Sequence, residues 1–180
     1  MRIEPGVYVR GPKNLEWGPG LVLALPDPDT VAVFFAAGGR RILKQPIANL
    51  WIVKDAKNPH PVLEIAARSD WSAWQRAHHH VYAIELKPAV LAIRAFVDAN
   101  LNHDPSKPCL YVGMTGIRPQ ERLQNHLNGH KAAGFVRRYG LGLRPELYEH
   151  FNPMPYAVAK AMEAELAADL RRKGYAVWQK

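Results

Sequence analysis

Four stretches of this chain carry side chains that could act on an anionic phosphoryl centre. They are Val81-Tyr82, then Tyr111-Val112-Gly113-Met114-Thr115, then Arg122-Leu123-Gln124-Asn125-His126, and last Glu163. An arginine fork matches two phosphate oxygens better than a lysine does. A carboxylate is a hard oxygen ligand for Mg²⁺, which keeps several of its waters. A phenol takes a proton from water only when nearby cations acidify it strongly. Taken singly, each has an ordinary role: a packed strand tyrosine, a solvated helix arginine, a surface ion pair.

Spacing sorts the candidates further. Arg122 and His126 stand four apart and share one helix face, with Leu123 and Leu127 expected toward the core. His126 and His130 repeat the interval, and His78-His79-His80 forms a second cluster. Neither has the cysteine or HExxH context of a zinc site. Two carboxylates compete on the last helical stretch. On a 100° wheel Glu163 and Glu165 flank opposite edges of the apolar stripe. Glu163 has Ala159 and Ala167 beside it, whereas Glu165 faces Asp169 and reads as a solvated edge. Gly113 keeps a side chain away from the place where phosphate would approach the two tyrosines.

These residues need elements to hold them. Val81 to Leu86 and Cys109 to Gly113 are strand candidates. Pro119 to Asn128 reads as a helix opened by proline and closed by Gly129. Ala89 to Leu101 has Val90, Ile93, Val97 and Leu101 at helical spacing, and residues 144 to 151 are a third strand candidate. Tyr156 to Lys173 is a helix with the stripe Val158, Met162, Leu166 and Leu170, ended by Gly174.

The first 54 residues differ. Val7-Tyr8-Val9, Gly20 to Leu25, Thr30 to Phe35 and Arg41-Ile42-Leu43 are short β-rich runs between Gly/Pro punctuators. Ile47 to Val53 could add a last strand. Four or five such strands suggest a small barrel. Residues 56–79 read as a connector, with Lys57-Asn58-Pro59-His60-Pro61 as linker chemistry and two short helical stretches, Leu63 to Ala67 and Trp71 to Ala77.

Composition bounds the rest. The chain has 180 residues, 48% hydrophobic and 22% charged, which is globular composition and not that of disorder. Lys plus Arg is 24 against 16 Asp plus Glu, a net +8. Such a chain has polyanions among its expected partners, nucleic acid before an acidic membrane surface. One cysteine, Cys109, excludes an intrachain disulfide framework. The longest apolar run, Val31 to Ala37, falls far short of the roughly 20 residues that span a bilayer. The start MRIEPGVYVRG has no signal-peptide core, so a cytoplasmic protein without membrane partners is expected.

In its ordered set of motifs, the stretch from about residue 80 to the end resembles the GIY-YIG nuclease superfamily. The resemblance implies a three-stranded antiparallel sheet flanked by helices and metal-dependent hydrolysis of a DNA phosphodiester. Carried over, the motif tyrosines fall on Tyr82 and Tyr111, the glycine on Gly113, the arginine on Arg122 and the histidine on His126. The metal-binding glutamate falls on Glu163, which also fits the pattern of Glu followed three residues on by Leu166. Mg²⁺ or Mn²⁺ is the implied cofactor and DNA the partner. Arg118, Lys131, Arg137 and Arg138 are then expected to contact DNA along with Gly113. The chain departs from the pattern at His80-Val81-Tyr82, where Gly-Ile-Tyr is usual. It also inserts Pro88 to Pro108, has Met114 where a lysine is common, and shows no clear terminal asparagine in residues 174–180.

Residues 1–55 resemble Tudor- or SH3-like barrels through Trp17-Gly18-Pro19-Gly20-Leu21-Val22, Val31-Ala32-Val33-Phe34 and Gly39-Arg40-Arg41-Ile42-Leu43. That implies a docking module for DNA or a protein partner, with Trp17 and Arg40 on its surface. The expected fold is therefore α+β: a small β-barrel, a connector at 56–79, and a GIY-YIG-like domain over 80–180. A non-catalytic nucleic-acid-binding or adaptor protein on a degenerate nuclease fold is the alternative.

Overall fold

Alternation along a strand explains how the first sheet is packed. In a computed structural model that describes residues 2–11, 13–44, 50–53 and 60–179, five strands form one antiparallel sheet. They are β1 (Tyr8–Arg10), β2 (Pro19–Asp27), β3 (Thr30–Phe35), β4 (Gly39–Lys44) and β5 (Trp51–Ile52), in the order β4-β3-β2-β1-β5. In β3, Val31, Val33 and Phe35 point into a small cluster with Val9 and Val22. Ala32 and Phe34 point the other way, into the main core with Leu21 and Leu23. Both faces are covered, so the run reads as continuous apolar residues. The Asp27 carboxylate accepts the Asp29 N–H at 2.9 Å and the Thr30 hydroxyl at 2.6 Å, which closes the β2–β3 turn.

Two residues expected at the surface of this sheet are engaged within it. Trp17 packs against Phe35 with ring centroids 5.2 Å apart and carries the Arg41 guanidinium over its ring. Arg40 is half-buried and donates from Nη1 to the Trp74 carbonyl at 2.9 Å. Gly39 has φ +70°, and a Cβ there would collide with the His150 carbonyl, so only glycine fits. Ile47, Lys57-Asn58-Pro59 and most of the expected boundary near residues 55–60 lie outside the described residues.

Two short helices follow, α1 (Pro61–Ala66) and α2 (Trp71–Gln75), the second capped by Asp70 accepting the Ala73 N–H at 2.8 Å. Then come β6 (His80–Leu86), α3 (Arg94–Asp98), β7 (Cys109–Thr115), α4 (Pro119–Leu127), α5 (Gly134–Tyr139), β8 (Gly140–Leu143), α6 (Tyr156–Arg172) and β9 (Ala176–Trp178). The second sheet has the order β8-β6-β7-β9. β6 pairs antiparallel with β7 and β8, while β9 adds a parallel edge to β7. The molecule is thus a mixed α+β structure with two sheets. One core cluster takes residues from both, Leu21 and Phe34 from the first, Tyr82 and Leu110 from the second, with Val158, Met162, Leu166 and Leu170 of α6. Among the described residues, no helix is long and apolar enough to cross a membrane.

Four expectations need correction. Among the described residues the first sheet is open, with β4 and β5 as unpaired edges, and is not the closed small barrel expected. Ala89 to Leu101 is not one helix: a 3-10 turn at Pro88–Ala92 breaks at Ile93 before α3. Val90 and Phe96 are both buried, yet six residues place them about 120° apart on a helix, so one straight helix could not bury both. Phe96 instead joins an aromatic cluster with Phe135 and Trp178, and Leu101 is left 75% exposed. Residues 144 to 151 hold two 3-10 turns, Pro145–Leu147 and Glu149–Phe151. The antiparallel partner of β6 is Gly140–Leu143, whose two glycines hide it from a hydrophobicity reading. Leu127 is exposed, and His126 takes the core position on α4.

Candidate functional site

β6 and β7 place the two phenols on one face. Tyr82 stands directly across from Gly113, and Ile84 across from Tyr111. Residues opposed in an antiparallel pair share a face, so Tyr82, Tyr111 and Gly113 lie together. The phenol rings have centroids 6.2 Å apart. A Cβ on Gly113 would lie 2.6 Å from Tyr82 Oη and 3.0 Å from Tyr111 Cε1. The glycine therefore makes the space that the Tyr82 hydroxyl occupies.

α4 brings His126 against both rings, at centroid distances of 6.1 Å from Tyr82 and 5.9 Å from Tyr111. Its side chain is fully buried. The Ala133 N–H donates to Nδ1 at 3.0 Å, so Nδ1 is the bare nitrogen of a neutral ring. The proton then sits on Nε2, which donates to Tyr82 Oη at 2.9 Å. The Tyr82 hydroxyl proton is left to point elsewhere. Burial, with the Arg122 charge adding to it, pushes the His126 pKa down to about 4, so the ring is neutral near pH 7.

Arg122 lies one helical turn before His126, close enough to stabilise the Tyr82 and Tyr111 phenolates. One of its amino groups donates to the Lys131 carbonyl at 3.0 Å, which ties down the loop after α4. Glu163 approaches from α6 and acts on both tyrosines in the opposite sense. Burial pushes the Glu163 carboxyl up to about 7, and Lys160 works against that rise. For Tyr82, burial raises the pKa first, the Tyr111 phenol adds to it, and Arg122 opposes.

The five candidate residues Tyr82, Tyr111, Arg122, His126 and Glu163 thus come together from β6, β7, α4 and α6. Arg118, at the N-cap of α4, lies near His80. Lys131 meets the site through its backbone carbonyl. Arg137 is exposed near the end of α5. Arg138 lies over the Tyr139 ring, where it lines a separate cavity of about 240 Å³ with Ile93 and Phe135. Glu165 belongs elsewhere: it pairs with Arg172 at 2.7 Å and lies 3.7 Å from His60.

Two contributors escaped sequence reasoning. Asn152 brackets Val81 beside Tyr82: its Oδ1 accepts the Val81 N–H at 2.9 Å, and its Nδ2 donates to the Val81 carbonyl at 2.9 Å. Only the fold reveals a contact across that much chain. Lys160 faces Glu163 from three residues away, a spacing that was legible on the wheel.

Among the described residues, no group of three or more His, Cys, Asp or Glu side chains converges as a metal cage. Glu163 offers one half-buried hard oxygen donor facing the two phenols, which fits Mg²⁺ or Mn²⁺ with water and phosphate completing the shell.

A family model described as a protein of unknown function, DUF3553, matches residues 3–53, the segment that carries β1 to β5. No curated protein and no solved structure matches the chain.

Proposed function

We propose that the chain is a metal-dependent DNA endonuclease of the GIY-YIG type. The observation that carries the reading is one cluster: two phenols, a buried imidazole hydrogen-bonded to one of them, and an arginine and a carboxylate acting on both. The antiparallel trio β8-β6-β7 supports the reading, although the sheet has a fourth strand, the parallel edge β9, which the resemblance does not imply.

The division of labour follows from the geometry. Arg122 holds the scissile phosphate through its remaining donors and neutralises part of its charge. Tyr82 takes the proton of the attacking water. The Nε2–H of His126 and the Arg122 charge both favour the phenolate that this step needs, and both oppose the effect of burial. His126 is a positioning residue, since both of its nitrogens are occupied and its ring is buried. Tyr111 orients the phosphate from the neighbouring strand. Glu163 would hold a divalent cation, which would supply charge neutralisation at the phosphoryl group when bound. Arg118, Lys131, Arg137 and Arg138 give sequence-independent affinity.

The first sheet is read as an SH3- or Tudor-like docking module. Its support is the run of four antiparallel strands in chain order, with the fifth returning to pair with β1.

The test is incubation of supercoiled plasmid and an end-labelled duplex with the protein, with Mg²⁺ or Mn²⁺ and then with EDTA. Cutting should need the metal and should vanish in Glu163→Gln while DNA binding persists. Full cutting by Glu163→Gln overturns the assignment. Binding without any cutting by the wild-type chain makes it a nucleic-acid-binding module instead.

A further inference from the structure

A second surface continues from the site. On α6, Tyr156, Lys160 and Glu163 stand at i, i+4 and i+7, one face over about 10 Å. Tyr156 is the first residue of α6 and is 57% exposed; Lys160 is also exposed. On the sheet, His80 lies two residues before Tyr82 and so on the same face. α4 sets Arg118, Arg122 and His126 four residues apart. The three rows are tied at both ends. Glu163, Tyr82 and Arg122 meet at one end. At the other, His79 packs edge-on against Tyr156 with centroids 5.2 Å apart, and His80 lies near Arg118.

That far end is built of flat rings. His78 and His79 have centroids 4.3 Å apart. A backbone bridge fixes His79: its N–H donates to the Met154 carbonyl at 3.2 Å, and the Met154 N–H donates back at 2.9 Å. The loop at Gly116 lies against this end, where a Cβ would be in ordinary contact, 3.4 Å from His79 Nε2. Burial and neighbouring imidazoles lower the His79 and His80 pKa values, so these rings are neutral near pH 7. Arg118 and Lys160 supply the cations beside them. Tyr156 and His78 are exposed and His79 and His80 partly so, and accessible rings flanked by cations are what unpaired bases and their phosphates bind. A continuous duplex keeps its bases stacked inside.

We propose that Tyr156 and His79 form a stacking platform for an unpaired nucleotide, and that the substrate class is DNA with a single-stranded arm beside the cut. The proposal rests on the nuclease reading for the word "cut", whereas the platform itself is tested by binding alone. In EDTA, fluorescence anisotropy compares a labelled forked DNA with a continuous duplex of the same sequence. A second fork carries 2-aminopurine at its first unpaired position. The wild-type chain should favour the fork about tenfold and change the 2-aminopurine emission through stacking. Tyr156→Ala should lose both effects and Tyr156→Trp should keep them, with thermal melting confirming that each variant folds. Equal affinity for fork and duplex in the wild type overturns the proposal. So does a fork preference that survives in Tyr156→Ala combined with His79→Ala. Cutting assays with Mg²⁺ separate the two readings. A fork preference lost in Tyr156→Ala, without cutting of any DNA, keeps the platform and removes the nuclease. Metal-dependent cutting without fork preference does the reverse.

Discussion

Tyr82 Oη lies 2.9 Å from His126 Nε2, and the Ala133 N–H on the far side of the ring decides that the histidine is the donor. A backbone amide thereby orients a phenol one residue removed from it through the imidazole. The Tyr82 oxygen can take a proton from water only after its own proton has left, and the Nε2–H behind it and the Arg122 charge both favour that loss against the effect of burial.

Removing that hydroxyl has two consequences. Tyr82→Phe leaves the buried Nε2–H without a partner, which costs about 1–3 kcal/mol of stability. Urea unfolding should show that loss, and plasmid cutting should disappear with DNA binding retained. Cutting at the wild-type rate would move the base function to Tyr111.

The buried imidazole makes stability depend on pH. Folded His126 binds a proton only below about pH 4, whereas an exposed histidine does so near 6.5. Between those values the unfolded chain holds more protons, so the contribution is complete above about pH 6.5 and is lost as pH falls toward 4. At pH 5 the loss from this residue is about 2 kcal/mol. His60, His79, His80 and His150 shift in the same direction and add to the total. Denaturant unfolding at pH 7.5 and 5 should show a smaller drop for His126→Leu than for the wild type.

A methyl group at Gly113 has nowhere to go. With Tyr82 Oη 2.6 Å and Cζ 2.7 Å from the new Cβ, Gly113→Ala must displace a packed ring. The expected cost is about 1–3 kcal/mol. Calorimetry should register it as a lower Tm, and cutting should fall more steeply than DNA binding. An unchanged Tm would mean that the Tyr82 ring yields freely.

Asn152 tests how the strand is held. Asn152→Ala removes both hydrogen bonds to Val81 and exposes neither tyrosine directly. About 1–2 kcal/mol of stability should go, and kcat should fall while KM for DNA stays near its wild-type value. A change confined to KM would argue that Asn152 acts at the DNA surface.

The exposed cations Arg137 and Arg138 should act through phosphates alone. The double change Arg137→Ala with Arg138→Ala should weaken binding to all DNA sequences alike. It should flatten the slope of log affinity against log salt by up to about 2. An altered sequence preference would be inconsistent with that role.

The sequence by itself was enough for the local elements. Strand β3, helix α6 with its four-residue stripe, and the proline-started α4 follow from period and punctuation, which are properties of neighbouring residues. The candidate set Tyr82, Tyr111, Arg122, His126 and Glu163 could be named only as an ordered set, because each residue taken singly has an ordinary role. What tertiary structure alone decided was which apolar positions win a place inside. Phe96 displaced Val97 and Leu101 because Phe135 and Trp178 wait for it across the fold. His126 went into the core and Leu127 to the surface because the Tyr82 hydroxyl, far off in the chain, and the Ala133 amide in the loop after α4 satisfy both ring nitrogens. Gly140–Leu143 became a strand because β6 offered an unpaired edge, and Ala176–Trp178 because β7 did. Pairing and polar satisfaction are contacts between distant residues, and no window of sequence contains them.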